Sequence, residues 1–397
     1  MIADFHHPPD RCGSDSAKWG KYAGRDILPL WVADMDFAAP PAVRTALEKR
    51  VAHGVFGYGA PWPALTESVL AYLENAYDWR VQPAWLVWLP GLVTGINIAV
   101  RSVCNGTDDP AGVLTSVPAY PPFLAAPKHG GQPLRTVALQ QTEDGRWRMD
   151  IAALEAACVP GTKLLLLCHP HNPVGRCWSR AELEQIADFA ARRDLVVCSD
   201  EIHCDLILDE DKRHLPFALL GEAAAARSIT LMAPSKTFNI PGLACALAII
   251  PDARLRQCFL RVMQGIVPHV NVLALAACEA AFRDCARWHQ DLLCLLRQNR
   301  DRLEAAVACL PGLSMSHVEA TYLAWIDARA LASVLPLPDD LSPAAYFETC
   351  GLGFSDGADF GAPGWVRFNF GCAPELLERA LARLRHAVEN PVIPART

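Results

Sequence analysis

The sequence has no apolar segment that is long enough to cross a membrane. Its apolar runs, such as "LACALAII" (243–250) and "LLLLC" (164–168), are far shorter than the roughly 20 residues that a membrane helix needs. The first residues, "MIADFHHPPDRCGSDSAKWGKY", show neither the charged-then-apolar order of a signal peptide nor the Arg- and Ser-rich composition of a transit segment. We therefore expect a cytoplasmic protein without a membrane domain.

The sequence also lacks any long block of lysine and arginine. Its 43 acidic residues outnumber its 36 Lys and Arg residues, and the formal net charge of −7 argues against a nucleic-acid partner. Apolar residues make up 52% of the chain and charged residues 20%, which is typical of a globular protein and not of a disordered one. A chain of 397 residues is long enough for about two or three domains.

No two of the 15 cysteines form a C-x-x-C pair. Zinc-site spacings are therefore absent, and a disulfide scaffold is not expected in a chain of this size and compartment. We interpret most of these cysteines as small buried apolar residues. The stretch "CHPH" (168–171) offers possible metal ligands, but its prolines make a stiff loop without helical ligand spacing, so we expect no metal.

Strand and helix signals alternate through the middle of the chain. "AWLVWLP" (84–90), "KLLLLC" (163–168), "LVVCSDEIH" (195–203) and "SITLM" (228–232) are interpreted as strands, and "GLVTGINIAVRSV" (91–103) has helical periodicity. Ser179 and Glu182 form a Ser-x-x-Glu capping box that predicts the start of a further helix. Apolar strands that alternate with amphipathic helices indicate a mostly parallel α/β sheet.

The pattern changes after about residue 285. "DLLCLLRQNRDRLEAAVACL" predicts a long amphipathic helix, "TYLAWID" and "GWVRFNFG" resemble half-buried strands, and "PELLERALARLRHAVEN" predicts a final helix. This part of the chain is expected to form a smaller α+β domain.

Three polar side chains follow predicted strands of the large sheet. Asn172 follows the strand at 163–168, Asp200 ends the strand at 195–199, and Lys236 follows the strand at 228–232. Ligands of open α/β sheets bind outside the carboxyl ends of the strands, so these groups are expected to share one crevice. Burial of a charged lysine costs free energy, so a buried lysine is expected to be paired or to take part in a reaction as a neutral amine. Schiff-base chemistry needs such an amine, and an aspartate is the expected partner of the pyridinium nitrogen of pyridoxal phosphate.

A set of motifs resembles the fold-type I pyridoxal-phosphate enzymes, the aspartate aminotransferase superfamily. "HNPVGR", "SDEIH" and "SKTFNIPGL" carry the superfamily resemblance. The fuller set resembles the branch of cystathionine β-lyases and cysteine-S-conjugate β-lyases, and it comprises "LWVADMDF", "FGYG", "PAYPPF" and "SDGADFGAPGWVRFNFGC". The motifs run in the family's order from about Trp19 to Cys372. The resemblance implies a large cofactor-binding domain at 46–285, a small domain at 286–397, and an N-terminal arm with part of the small domain at 1–45.

The resemblance also implies roles around the cofactor ring. Lys236 would form the Schiff-base linkage to pyridoxal 5'-phosphate, and Asp200 would keep the ring nitrogen protonated. Asn172 would hydrogen-bond the ring hydroxyl, and Tyr120 would stack on the ring. His203 stands where aminotransferases often have tyrosine, and this branch tends to have histidine there.

Further residues would hold the phosphate and the substrate. The phosphate would be bound by Ser235 and by the start of a helix, where free N–H groups and the helix dipole favour an anion, with Gly91, Leu92 and Val93 supplying the backbone groups. Tyr58 matches a tyrosine that reaches the phosphate of the other subunit, which implies a homodimer. Arg367 would bind the substrate α-carboxylate as a planar bidentate donor, and substrate preference would depend on side chains around Trp31 and Tyr58.

Each of these residues also has a purely structural interpretation. Asp200 would then cap a helix, Asn172 with its proline would form a turn, and Tyr120 would pack in a loop. Ser235 would be a turn residue. Arg367 would be a surface charge on an alternating strand, and Tyr58 would be ordinary interface packing.

The sequence departs from the superfamily at three positions. Many members have an arginine eight residues after the lysine to support the phosphate, but this chain has Ala244 there, which argues against an aspartate-type transaminase. His169 stands where small polar residues are usual. Cys12 falls in a segment where the branch often has arginine. The sequence leaves the effects of His169 and Cys12 open.

Three functions follow from these observations. The main hypothesis is a lyase that cleaves cystathionine or related cysteine S-conjugates to a thiol, pyruvate and ammonia, with the freed amine of Lys236 taking the α-proton. The alternative is an aminotransferase of the same fold, which would require a 2-oxo acid. A ligand-sensing regulator would usually carry an N-terminal DNA-binding domain, which is not expected because the motifs begin by residue 30. Racemase side activity and a regulatory role through protein contacts stay open.

Overall fold

The computed structural model describes residues 4–104, 112–338 and 340–391. Its α-helices are Ala17–Gly20, Pro41–His53, Pro63–Tyr77, Leu92–Cys104, Pro121–His129, Ile151–Ala157, Arg180–Arg192, Glu222–Ala226, Ala253–Met263, Val272–Asp284, Ala286–Ala308, Leu331–Val334, Pro343–Thr349 and Pro374–Glu389. Its strands are Leu28–Pro29, Leu86–Leu89, Gly112–Val117, Leu134–Ala138, Gln140–Gln141, Trp147–Arg148, Thr162–Cys168, Val196–Asp200, Ser228–Met232, Ala246–Ile249, Ser314–Met315, Leu323–Asp327, Leu352–Gly353, Ser355–Asp356 and Trp365–Asn369.

The larger sheet has seven strands. Their spatial order is Leu86–Leu89, Ala246–Ile249, Ser228–Met232, Val196–Asp200, Thr162–Cys168, Gly112–Val117 and Leu134–Ala138. The strand Ala246–Ile249 runs antiparallel to both of its neighbours, whereas the other pairings are parallel. The predicted mostly parallel α/β sheet is therefore confirmed.

Alternating side chains of the inner strand Thr162–Cys168 enter two different cores. Leu164 and Leu166 pack in the cluster that contains Ile96 of the helix Leu92–Cys104. Leu165 and Leu167 pack in the cluster that contains Ile186 of the helix Arg180–Arg192. A strand covered by helices on both faces is apolar throughout, as this sequence segment is.

The helix Arg180–Arg192 begins as its sequence predicts. The Ser179 hydroxyl accepts a hydrogen bond from the Glu182 backbone N–H, and the Glu182 carboxylate accepts one from the Ser179 N–H. Leu183 and Ile186 lie on its buried face. The capping box thus sets where this helix starts, and its apolar stripe sets the face that packs on the sheet.

A second sheet of four antiparallel strands follows the long helix Ala286–Ala308. Its order is Ser314–Met315, Leu323–Asp327, Trp365–Asn369 and Ser355–Asp356. The N-terminal strand Leu28–Pro29 pairs in parallel with Leu352–Gly353. This N-terminal segment therefore packs against the C-terminal part of the chain. Division of the chain at residues 45 and 285 stays a prediction, and its outer limits at residues 1 and 397 lie outside the described residues.

Ten of the 15 cysteines are buried, as predicted. In the part of the chain that the structure describes, no helix is both long and apolar enough to span a membrane.

Candidate active site

The carboxyl ends of three neighbouring strands meet at one crevice. Cys168 pairs with Asp200, and Asp200 pairs with Leu231, so the strands end at the same level. The crevice has a volume of about 300 Å³. Most of the predicted site residues line it, namely Gly91, Leu92, Val93, Tyr120, Asn172, Asp200, His203, Ser235 and Lys236. The expectation that Asn172, Asp200 and Lys236 share one crevice agrees with this geometry.

Lys236 lies in the loop after the strand Ser228–Met232 and is half-buried. Burial first and the nearby Arg367 cation second lower the pKa of its amine to about 8, against the attraction of Asp34 and Asp200. Its Nζ donates a hydrogen bond of 2.5 Å to the Ala33 carbonyl. The amine is therefore much closer to its neutral form near physiological pH than an exposed lysine is.

Asp200 is the last residue of the strand Val196–Asp200 and is only 4% exposed. Burial raises the pKa of its carboxyl to about 7, although a hydrogen bond of 3.2 Å from the Ile202 N–H stabilises the ionised form. The residues that follow form a turn, so Asp200 does not cap a helix. A buried carboxyl facing the crevice is suited to partner a cationic ring nitrogen.

Arg367 is buried, with 5% exposure, in the strand Trp365–Asn369 of the smaller sheet. Its Nη1 donates to Asn172 Oδ1 at 3.1 Å, and its Nη2 donates to the Trp31 carbonyl at 2.7 Å and to Ser355 Oγ at 3.3 Å. Its Nε is buried without a partner. The surface-charge interpretation is therefore wrong. Burial lowers the pKa of this guanidinium to about 10, so it stays charged at neutral pH.

One end of the crevice is built for an anion. Leu92 and Val93 belong to the first turn of the helix Leu92–Cys104, where backbone N–H groups have no partner within the helix. Ser235, which is 9% exposed, lines the same crevice, and so does Ala244. Neutral donors rather than an arginine would thus hold a phosphate here.

His203 and Tyr120 lie on the walls of the crevice. Burial lowers the pKa of His203 to about 3, so its imidazole is neutral, and its Nδ1 is buried without a partner. Tyr120 directly precedes the helix Pro121–His129 and is half-buried, and burial raises the pKa of its phenol. Both side chains are therefore uncharged groups beside the space where a ring would lie.

Three predicted residues do not line the crevice, namely Tyr58, Trp31 and Arg367, and of these Arg367 contacts Asn172 of the crevice wall. The Tyr58 side chain is fully exposed, at 105% relative exposure, on a surface that it shares with Trp62. The Trp31 indole donates to the Lys18 carbonyl at 3.1 Å, and only the Trp31 carbonyl contacts Arg367. Within one chain, Tyr58 takes no part in the site.

The histidine side chains of the "CHPH" stretch are engaged in packing and hydrogen bonds. His169 stacks on His214 with ring centroids 4.4 Å apart, and His171 Nε2 lies 2.8 Å from the Pro118 carbonyl. The His214 Nε2 contacts Glu201 at 2.7 Å. No group of three or more His, Cys, Asp or Glu side chains within residues 4–104, 112–338 and 340–391 could hold a metal ion.

The sequence argument missed Ala33 and Tyr322. The Ala33 carbonyl accepts a hydrogen bond from Lys236, and the buried Tyr322 hydroxyl donates to the same carbonyl at 2.9 Å. Ala33 lies in "LWVADMDF", which was interpreted only as a family motif, and Tyr322 lies in "TYLAWID", which was interpreted only as a strand. A backbone acceptor leaves no signal in residue type, so this contact required the structure.

Comparison with known proteins identifies the family. A model of the family described as Aminotransferase class I and II matches residues 25–384. The chain belongs to the class I and II aminotransferase family. Within this family, it is 35% identical to the cystathionine β-lyase PatB of Bacillus subtilis, over 97% of this chain and 100% of that protein. The predicted resemblance is thereby confirmed.

Two solved structures share the fold along nearly the whole chain. A structure of a protein named OvoB is 49% identical, with a TM-score of 0.93 over 98% of this chain and 100% of that one. Cystalysin from Treponema denticola, whose structure contains pyridoxal 5'-phosphate, is 30% identical, with a TM-score of 0.91 over 98% of this chain and 100% of that one.

The crevice fits the cofactor that cystalysin contains. Lys236 offers an amine with a lowered pKa, and Asp200 offers a buried carboxyl. The first N–H groups of the helix Leu92–Cys104, which have no partner within the helix, suit a phosphate. The buried, unpartnered Nδ1 of His203 offers one further polar contact.

Proposed function

We propose that this chain is a pyridoxal-phosphate-dependent carbon–sulfur β-lyase that cleaves L-cystathionine or a related cysteine S-conjugate. The observation that carries the proposal is one crevice lined by a lysine of lowered pKa and a buried aspartate, Lys236 and Asp200, beside a buried arginine, Arg367, that donates to Asn172 of the crevice wall. The similarity to the cystathionine β-lyase PatB along the whole chain supports the same reaction.

Different side chains bind the substrate and transfer the proton. Arg367, which already contacts Asn172, binds the α-carboxylate of the substrate and fixes the orientation of Cα. Lys236 in its free-base form takes the α-proton at Nζ. Bound pyridoxal phosphate supplies the electron sink for the carbanion. Asp200 keeps negative charge beside the ring nitrogen, so that this nitrogen stays protonated.

The bond changes balance with water alone. The Cβ–S bond breaks with its electrons on sulfur, and the thiolate takes up a proton. The remaining three-carbon fragment reacts with one water molecule to give pyruvate and ammonia. Cystathionine thus gives homocysteine, pyruvate and ammonia, and no oxidant or 2-oxo acid is consumed.

An aminotransferase is the second candidate, and the description of the family favours it. The absence of an arginine at Ala244, which lines the crevice, weighs against an aspartate-type transaminase. The two candidates share Lys236, Asp200 and Arg367, so they differ in what happens after the α-proton is removed.

The proposal includes a homodimer in which Tyr58 of each chain completes the site of the other. The exposure of Tyr58 and of the neighbouring Phe56, at 57%, supports a surface that a second copy covers. The division at residues 45 and 285 belongs to this proposal, and a cytoplasmic location stays a prediction.

The test is a product balance without any 2-oxo acid. Given cystathionine, the enzyme should release pyruvate, ammonia and thiol in equal amounts over many turnovers. A transaminase would stop at about one equivalent per site, because its cofactor would remain in the amine form. A stop at that level, with recovery after addition of 2-oxoglutarate or pyruvate, would establish the aminotransferase instead. Sustained release from S-alkyl cysteines, with little from serine or alanine, would locate the preference at the sulfur leaving group.

A further inference from the structure

Residues 31–35, which we call the strap, are held by side chains rather than by secondary structure. The strap belongs to no helix or strand, yet each of its five carbonyls accepts a hydrogen bond from a side chain. The donors are Arg367 and Ser355 for Trp31, Asn369 for Val32, Lys236 and Tyr322 for Ala33, Lys18 and Asn369 for Asp34, and Arg11 and Asn239 for Met35. The strap is therefore a point where the lysine and the arginine of the site meet the same backbone.

The Ala33 carbonyl has two side-chain donors. Lys236 Nζ lies at 2.5 Å and Tyr322 Oη at 2.9 Å from its oxygen. A carbonyl oxygen has two lone pairs, so these donors fill its accepting capacity. Lys236 therefore shares its acceptor with a residue that takes no part in the chemistry.

Tyr322 is fixed in place by its surroundings. Its side chain is fully buried, and its backbone carbonyl accepts a hydrogen bond of 2.9 Å from the Phe370 N–H. It immediately precedes the strand Leu323–Asp327, in which Trp325 pairs with Arg367. Burial raises the pKa of the Tyr322 phenol, so it remains a donor at every pH relevant to activity.

We propose that Tyr322 is a positioning residue for Lys236 and that it acts through the carbonyl of Ala33. The inference rests on the proposed function, in which the amine is linked to the cofactor at one stage and free at another. When Lys236 leaves Ala33 to form the linkage, Tyr322 keeps the buried carbonyl satisfied, so the strap stays in place. When the Lys236 amine is released again, the Ala33 carbonyl is still in position to accept its hydrogen bond.

Removal of the Tyr322 hydroxyl has a defined consequence. The Ala33 carbonyl would keep Lys236 as its one side-chain donor and would accept more strongly from it. A stronger hydrogen bond to the ammonium favours the charged form of the amine, so the pKa of Lys236 should rise. The free base would then become available only at higher pH.

The test compares Tyr322→Phe with Tyr346→Phe. Tyr346 is a matched control because it is equally buried and donates to a backbone carbonyl, that of Ala387 in the C-terminal helix, at 2.5 Å. Each full-length protein is depleted of cofactor and mixed with pyridoxal phosphate at pH 6 to 10, and the absorbance of the lysine linkage is followed. The rate reports the fraction of Lys236 present as free amine.

The wild-type midpoint should lie near pH 8, since the pKa of Lys236 is lowered to about 8. Tyr322→Phe should raise this midpoint by about 0.4 to 1 pH unit, which is the size that one neutral hydrogen bond supports. In the holoenzyme, kcat should fall by about two- to tenfold at neutral pH, while KM changes by less than about twofold because Arg367 is unaltered. Tyr346→Phe should leave the midpoint and KM at the wild-type values.

A wild-type midpoint in Tyr322→Phe, or an equal shift in both variants, would overturn the proposal. If Tyr322→Phe does not fold, a crystal structure of the wild-type holoenzyme decides instead. It should show Tyr322 Oη within hydrogen-bond distance of the Ala33 oxygen after Lys236 has left it, and a hydroxyl turned away would refute the role. Failure of the wild-type protein to form any lysine linkage would instead count against the proposed function.

Discussion

Replacing Arg367 by alanine should raise the KM for amino-acid substrates and leave kcat comparatively unchanged. The guanidinium is 5% exposed and already makes hydrogen bonds to Asn172, Trp31 and Ser355, so it needs little rearrangement to accept a carboxylate. Truncating one partner of a buried, hydrogen-bonded charge pair costs about 2–5 kcal/mol. That corresponds to a loss of about 30-fold to several thousand-fold in kcat/KM.

The assay follows thiol release, a product common to cystathionine and to the control substrate, over a range of substrate concentrations. An amine substrate that lacks the carboxylate, such as an S-alkyl cysteamine, provides the internal control. Wild-type enzyme and Arg367→Ala should process this amine equally slowly, because the group that Arg367 binds is missing from it. The effect of the substitution should therefore vanish together with the carboxylate.

A second control separates binding from stability. Arg300 is also buried, at 9% exposure, and it pairs with Asp209 at 2.7 Å and with Asp301 at 2.8 Å. Arg300→Ala should lower the melting temperature and leave KM at the wild-type value. A wild-type KM in Arg367→Ala would mean that another cation holds the carboxylate and would refute the reasoning.

Four further predictions concern the cofactor and the assembly. Borohydride reduction of the yellow holoenzyme should fix the cofactor to a peptide that contains Lys236, and a label on Lys163 instead would contradict the assignment. Asp200→Asn should cost several kcal/mol of carbanion stabilisation. Burial raises the pKa of Asp200 to about 7. Cofactor-depleted wild-type protein should therefore lose stability relative to Asp200→Asn as the pH rises from about 4 to about 7. Parallel pH profiles of denaturation for the two proteins would argue against this. Sedimentation should show a dimer, and a fully active monomer of 43.3 kDa would exclude the role of Tyr58 in a second chain.

Local sequence patterns predicted the parts of the fold whose signals are local. The strand predicted at 228–232 is observed with those bounds, and the capping box at Ser179 starts a helix as expected. The strand predicted at 195–203 ends earlier, at Asp200, because the chain turns there into the crevice. Apolar periodicity and capping chemistry are properties of neighbouring residues, so they can be recognised without tertiary structure.

The part of the site that the sequence analysis did not predict depends on contacts between segments that are distant in sequence. Tyr322 and Lys236 are 86 positions apart in sequence, yet both donate to the Ala33 carbonyl. The burial of Arg367 is also a tertiary property, since an alternating strand fits an exposed arginine equally well. Motif resemblance supplied the identity of Arg367, whereas its contacts with Asn172 and the Trp31 carbonyl required the structure.

The charges around the crevice indicate why a second chain would matter for the cofactor. Among the described residues that line the crevice, Lys236 is the one lysine or arginine, and Ala244 stands where many relatives of the superfamily have an arginine. A phosphate at the start of the helix Leu92–Cys104 would therefore rely on backbone N–H groups and on the Ser235 hydroxyl. Val93 in that first turn remains 43% exposed, so one chain alone leaves this end open to water. Water weakens each of these hydrogen bonds, and a donor such as Tyr58 from a second copy would both exclude water and add a contact.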